Sequence, residues 1–139
     1  MAVPDFSYSF GSGKDNPKGL LLSIRHEGEK SVVELTVERE QCGLPGVLHG
    51  GITFSMMDEA MYYAILKRGL ETVTVSVKAD YLSPGWLGRR LAAEGWVEKI
   101  DGKRVSAASE VKDLSNGKTV AVATGEFKVV DLDNFRPPT

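Results

Sequence analysis

The sequence predicts an α+β fold in which one long helix is held in a curved antiparallel sheet of five or six strands. Three observations carry this. One strongly apolar stretch, residues 50–68, has helical length and stops at Gly69, with Lys67 and Arg68 in its last turn. The segments on either side read as strands. Only one helix is available to cover that many strands, so it must be apolar nearly all round, and Ile52, Phe54, Met56, Met57, Ala60, Met61, Tyr63, Ala64 and Ile65 meet that demand.

In chain order, residues 1–19 are rich in Gly, Pro, Ser and Asn and predict an ordered loop or arm. "LLLSIRHE" and "SVVELTVE" flank "GEK", a hairpin turning at Gly28. A loop, "EREQCGLPG", leads to the helix. After it, "ETVTVSVKADYL" alternates Val73, Val75, Val77 and Ala79 against Thr74, Ser76, Lys78 and Asp80. "SPGWLG" turns into "RRLAAEGWVEKI", "DGKR" into "VSAASEVKDL", and "SNGK" into "TVAVATGEFKVV". Residues 131–139 form a tail. No repeat or internal boundary divides residues 1–139, so one domain is expected.

Composition narrows the function. With 17 basic and 19 acidic residues among 139, the chain has no electrostatic footprint for nucleic acid. No apolar run reaches membrane-span length. The opening "MAVPDFSYSF" lacks a basic segment followed by an apolar one, so no secretory signal is expected. A single cysteine, Cys42, cannot pair internally, which fits a reducing cytoplasm; with no base beside it, it is not read as a nucleophile. His26, next to Glu27, reads as a surface residue. His26, His49 and Asp58 lack ligand spacing, so neither a metal nor another cofactor is expected.

The helix carries the chemistry. At about 100° per residue, Gly51, Ser55, Asp58, Glu59 and Tyr62 fall on one side as a polar stripe. A solvent-facing seam would explain the acids alone. The His49-Gly50-Gly51 entry adds open N–H groups at the positive end of the helix dipole, where glycine leaves room for a carbonyl that becomes an oxyanion. Gly50 and Asp58 are separated by about 12 Å along one helix, too far to act on one carbonyl. A catalytic reading therefore calls for two antiparallel copies of the helix, and so a C2 dimer.

"PGVLHGGITFSMMDEAM" resembles the signature of hot-dog-fold acyl-CoA thioesterases, the group of phenylacetyl-CoA-type and 4-hydroxybenzoyl-CoA-type enzymes. "NPKGLLL", "YLSPGWLG" and the final hairpins extend the likeness over most of the chain. The resemblance implies a hot-dog fold, an acyl-CoA substrate hydrolysed to free acid and CoA, and a homodimer, or a dimer of dimers, with sites at the interface. It implies Asp58 as the catalytic carboxylate, Gly50 as the amide that polarises the thioester carbonyl, His49 as the residue orienting that loop, and Thr74 as a positioning hydroxyl. Gly51, Pro84 and Gly85 are expected along the substrate. Arg89, Arg90, Lys103 and Arg104 are candidates for the CoA phosphates. Glu59 is expected to be a structural partner rather than the reactive acid, and Met56, Met57 and Met61 to be core or the lining of an acyl tunnel.

Two departures stand out. Many members carry Asn or Gln six residues before the histidine, where this chain has Gly43. A "CFGCG"-like segment of related chains is "SFGSG" here, so Ser9 and Ser12 make a metal or thiol role for the arm unexpected. The missing polar group at Gly43 keeps open a non-catalytic acyl-CoA-binding or regulatory module. A hot-dog hydratase-dehydratase suits the sequence less, because His49 before a glycine pair is poorly placed to move an α-proton.

Overall fold

The computed structural model describes residues 4–138, so residues 1–3 of the expected arm and Thr139 of the tail lie outside the described residues. The elements are β1 (Ser23–Glu27), β2 (Lys30–Thr36), α1 (Gly50–Lys67), β3 (Thr72–Tyr81), β4 (Arg90–Asp101), β5 (Arg104–Asp113) and β6 (Thr119–Val129), with a short 3-10 turn at Arg39–Gln41. All six strands join one antiparallel sheet in the order β1-β2-β4-β5-β6-β3. The hairpins turn where the sequence places them, through Gly102 at φ 59° and Gly117 at φ 73°. After the helix, β3 lands at the far edge beside β6, not next to β2.

Small residues let the sheet accept the helix. Val33, Ala93, Val111 and Ala121 stand opposite one another across four strands, and all are buried in the core. Gly95 marks the closest approach. A Cβ there would sit 2.2 Å from the Ala60 carbonyl oxygen, so only glycine fits beneath the helix. The hydroxyl of Ser31, paired with Gly95 across the β2–β4 ladder, donates to that same Ala60 oxygen.

The sheet buries one stripe of α1: Thr53, Met56, Met57, Ala60, Met61, Ala64 and Ile65. Their spacing of three and four residues is that of a single helix face. The sheet thus covers one side rather than the whole circumference. The outward aromatic residues are instead met by the arm, where the Phe6 ring packs edge-on against Tyr62 and Tyr63 at centroid distances of 6.0 and 5.7 Å. Met56, Met57 and Met61 are fully enclosed and act as core. Among the described residues, no helix is long and apolar enough to cross a membrane.

Candidate active site

The start of α1 is built around His49, whose extended backbone lets its side chain turn back over the helix as an N-cap. The Gly51 N–H donates to His49 Nδ1 at 2.9 Å. Ile52 and Thr53 both donate to the His49 carbonyl oxygen, at 2.9 and 3.2 Å. That leaves the Gly50 N–H, which finds no acceptor among the described residues. The loop before it is tied down on two sides, by His49 N–H to the Gln41 oxygen at 2.9 Å and by Leu48 N–H to the Gly85 oxygen at 2.8 Å.

Tyr81, at the end of β3, was not singled out from the sequence, yet it closes this corner. Its hydroxyl donates to the Gly50 oxygen at 2.6 Å, and its ring lies 3.5 Å from where a Gly50 Cβ would be. No local pattern signals a contact across 31 residues. Beside it lies a cavity of about 300 Å³ whose walls include Leu48, Thr53, Tyr81, Pro84 and Gly85. Pro84 and Gly85 therefore stand next to the helix N-terminus. Gly43 packs closely against His49: a Cβ there would come 3.2 Å from the imidazole Cδ2, so a side chain at 43 would need the ring to shift by a few tenths of an ångström.

Two turns along, Thr74 on β3 donates its hydroxyl hydrogen to Asp58 Oδ1 at 2.9 Å. Burial raises the Asp58 pKa, and the Thr74 bond opposes it by favouring the ionised form. Glu59 is displaced further. Burial, then the neighbouring Asp58 charge, lift it from 4.5 to about 7. Gly11 of the arm lies directly over it, so close that a Cβ at 11 would meet the Glu59 carboxyl carbon at 2.5 Å. Glu59 is thus roofed by the arm and makes no hydrogen bond among the described residues, in place of the structural partnership expected of it.

The polar stripe continues with Tyr62, which donates to Glu71 Oε2 at 2.7 Å. Burial raises the Tyr62 pKa, and the bond to Glu71 raises it further, so the phenol stays protonated. Glu71 is itself buried, with Oε1 unpartnered, another contact that the sequence did not signal.

The four basic candidates do not gather. Arg89 pairs with Asp113 at 3.6 Å and bonds Ser115, while Arg90 pairs with Glu34. Lys103 and Arg104 lie at the β4–β5 turn, at the other end of the sheet. The nine steps of β5 between Arg104 and Asp113 put about 30 Å between the two groups. The structure therefore brings Asp58 to Thr74 and joins His49, Gly50, Gly51, Pro84 and Gly85 in a second cluster, with Arg89 and Arg90 toward that end.

A family model described as the thioesterase superfamily matches residues 45–120, more than half of the chain. The chain belongs to the thioesterase superfamily. A putative esterase of Archaeoglobus fulgidus is 33% identical over 107 residues, covering 77% of this chain and 68% of that protein. Acyl-coenzyme A thioesterase 13 of Homo sapiens is 33% identical over 95 residues, covering 66% of this chain and 67% of its own. Among solved structures, the Escherichia coli PaaI protein of the phenylacetic acid degradation operon superposes with a TM-score of 0.75 at 28% identity, over 81% of each chain. The helix on a six-stranded antiparallel sheet is the hot-dog fold expected from the sequence. The superfamily match spans His49, Gly50, Asp58, Thr74 and the Pro84-Gly85 turn, and leaves out the arm and β1.

Proposed function

We propose that this thioesterase hydrolyses acyl-CoA esters to the free acid and CoA, in a site that two copies of the chain complete. The reading is carried by one observation: a half-buried carboxylate, held by Thr74, shares a helix with the open Gly50 amide. Relatives named as acyl-coenzyme A thioesterases support the substrate class.

The Gly50 N–H stands at the positive end of the helix dipole and stabilises the thioester oxygen as negative charge develops on it. Thr74 fixes Asp58 Oδ1, and Oδ2 is the reacting oxygen. It attacks the thioester carbon, expelling CoA thiolate and forming a mixed anhydride that water cleaves, or it accepts the proton of a water that makes the same attack. In either route the C–S bond breaks and a C–O bond replaces it. Single turnover in ¹⁸O-water distinguishes the routes, since only the first places the label on Asp58. Desolvation raises the proton affinity of Asp58, while Glu59 keeps its own proton below about pH 7 and spares the pair a second negative charge.

A second copy supplies what one helix cannot. Asp58 and Gly50 stay about 12 Å apart on one rod. Support for pairing comes from β3, an edge strand that among the described residues pairs with β6 alone, with a bulge between Thr74 and Ser76 that leaves Val75 48% exposed. A copy laid antiparallel across this edge turns the Gly50 end of its helix toward the first chain's Asp58.

The test is thiol release from a panel of short, medium and aryl CoA esters. The folded chain should release CoA, and Asp58→Asn should slow release by about 10²-fold or more with unchanged circular dichroism. Wild-type-like turnover by folded Asp58→Asn contradicts the mechanism. Ester binding without any thiol release contradicts the hydrolase reading and favours a binding module.

A further inference from the structure

A cavity of about 720 Å³ opens between the arm and β1. It lies at the opposite edge of the sheet from β3, and Asp58 does not line it. Its volume is within the roughly 300–1,000 Å³ of small-molecule sites. Its walls divide by chemistry. Leu21, Leu22 and Ile24 with the Tyr63 ring make one side apolar, while Lys14 supplies a cationic group and His26 an imidazole N–H, and no acidic residue lines it among the described residues. Neither Lys14 nor His26 takes part in an ion pair among the described residues.

Two further observations mark it as a built site. Leu21 holds φ at 53°, a left-handed conformation that a branched side chain avoids, and it is the one non-glycine residue with positive φ among the described residues. The arm enforces it from both sides, through Leu20 N–H to the Phe10 oxygen at 2.7 Å and Leu22 N–H to the Gly11 oxygen at 2.8 Å. Strain held this firmly belongs more to ligand clamps than to ordinary loops. The second observation is a hydroxyl pair. Ser12 Oγ and Tyr63 Oη lie 2.9 Å apart, so whichever donates, the other keeps an unused O–H at the cavity wall. Burial raises the Tyr63 pKa, against the Ser12 bond and with the charges of Glu59 and Glu71, so the phenol remains a donor.

We propose that this cavity is a second ligand site that takes an amphiphilic monocarboxylate. The carboxylate meets Lys14, His26 and the Ser12–Tyr63 hydroxyls, and the tail lies along Leu21, Ile24 and the Tyr63 ring. The proposal rests on the hydrolase reading only for the ligand's source, because the acid released by that reaction is of this class. His26 loses proton affinity to burial first and then to the nearby Lys67 charge, a cationic setting that an incoming anion relieves.

Decanoate, kept below its micellar concentration, is the probe. Titrated into folded Asp58→Asn protein, it should bind saturably and shift the backbone amides of Ser12, Leu21, Ser23 and His26. Decan-1-ol, with the same tail and no charge, should bind at least about tenfold more weakly. A Lys14→Ala/His26→Gln variant, altered only at exposed positions, should loosen decanoate by a similar factor. Shifts confined to Gly50 and Thr74, an absence of saturation, or equal affinity in the double variant would overturn the proposal. Thiol release is not read, so failure here and failure of the hydrolase reading appear in different experiments.

Discussion

The two faces of α1 share one backbone and have opposite chemistry. Toward the sheet, the stripe from Thr53 to Ile65 is buried, apolar apart from Thr53, and free of ionisable groups. Away from it, Asp58, Glu59, Tyr62 and Tyr63 are half-buried, and desolvation is the largest cause of the raised pKa in all four. Packing on the first face gives the helix the stability that holds the second face in an environment its groups would not choose. Separating the two tasks by about half a helix circumference lets a short domain keep a tight core and a perturbed acid on the same element.

The largest expected effect breaks the sheet-facing side. Gly95→Val forces a branched side chain into the Ala60 carbonyl, where even a Cβ would be 2.2 Å away. Overpacking of that severity should cost about 3 kcal/mol, read as a lower urea midpoint. An unchanged midpoint would mean that the close approach of helix and sheet is not a stability determinant.

On the other face, Glu59→Gln should act in the opposite direction. Glu59 ionises near pH 4.5 when unfolded and at about 7 when folded, so the native state binds the extra proton between those values. Native stability should therefore fall as pH rises from about 4.5 to 7 and level off above, by on the order of 2 kcal/mol. Asp58, displaced the same way, adds to this slope. In Glu59→Gln the slope should be much flatter, and at pH 8 the variant should be at least as stable as the parent. Parallel stability–pH curves for the two proteins would show that Glu59 is not held protonated by its surroundings.

A smaller effect sharpens the functional face. Thr74→Val keeps the shape but removes the 2.9 Å bond to Asp58. Losing one such bond is worth about 1 kcal/mol, so turnover should fall about five- to tenfold, and Thr74→Ser should retain most of it. Equal loss in both variants would point to packing at 74 rather than to the hydroxyl.

How much of this was readable in advance follows from the range of each interaction. The extent of the helix, its stop at Gly69 and the glycine turns at 28, 102 and 117 are local patterns, and the structure places them where the sequence does. The alternation expected along β3 is interrupted by the bulge between Thr74 and Ser76, which leaves Val75 exposed, because a bulge is set by pairing with β6 rather than by the strand's own pattern. The His49-Gly50-Gly51 start and the Asp58 register are also local, which is why the motif was legible. Contacts between distant segments were not. Nothing near Gly11 indicates that it roofs Glu59, and nothing near Arg90 indicates Glu34, which the β2–β4 register brings to it. The all-round apolar helix was an overestimate for the same reason: the arm, rather than more sheet, meets Tyr62 and Tyr63, and polar groups can stand on that side.

The central claim is that the open amide and the reactive acid act together from different chains. Proline is tolerated at the first position of a helix, so Gly50→Pro deletes the N–H in question while sparing the fold. A Gly50→Pro sample and an Asp58→Asn sample should each be nearly inactive. Unfolded together and refolded in equal amounts, half of the dimers should be mixed, each with one intact site of two, and activity should return to about one quarter of the parent's. Mixed dimers demonstrated by mass, with activity no higher than the two variants alone, would contradict the shared site.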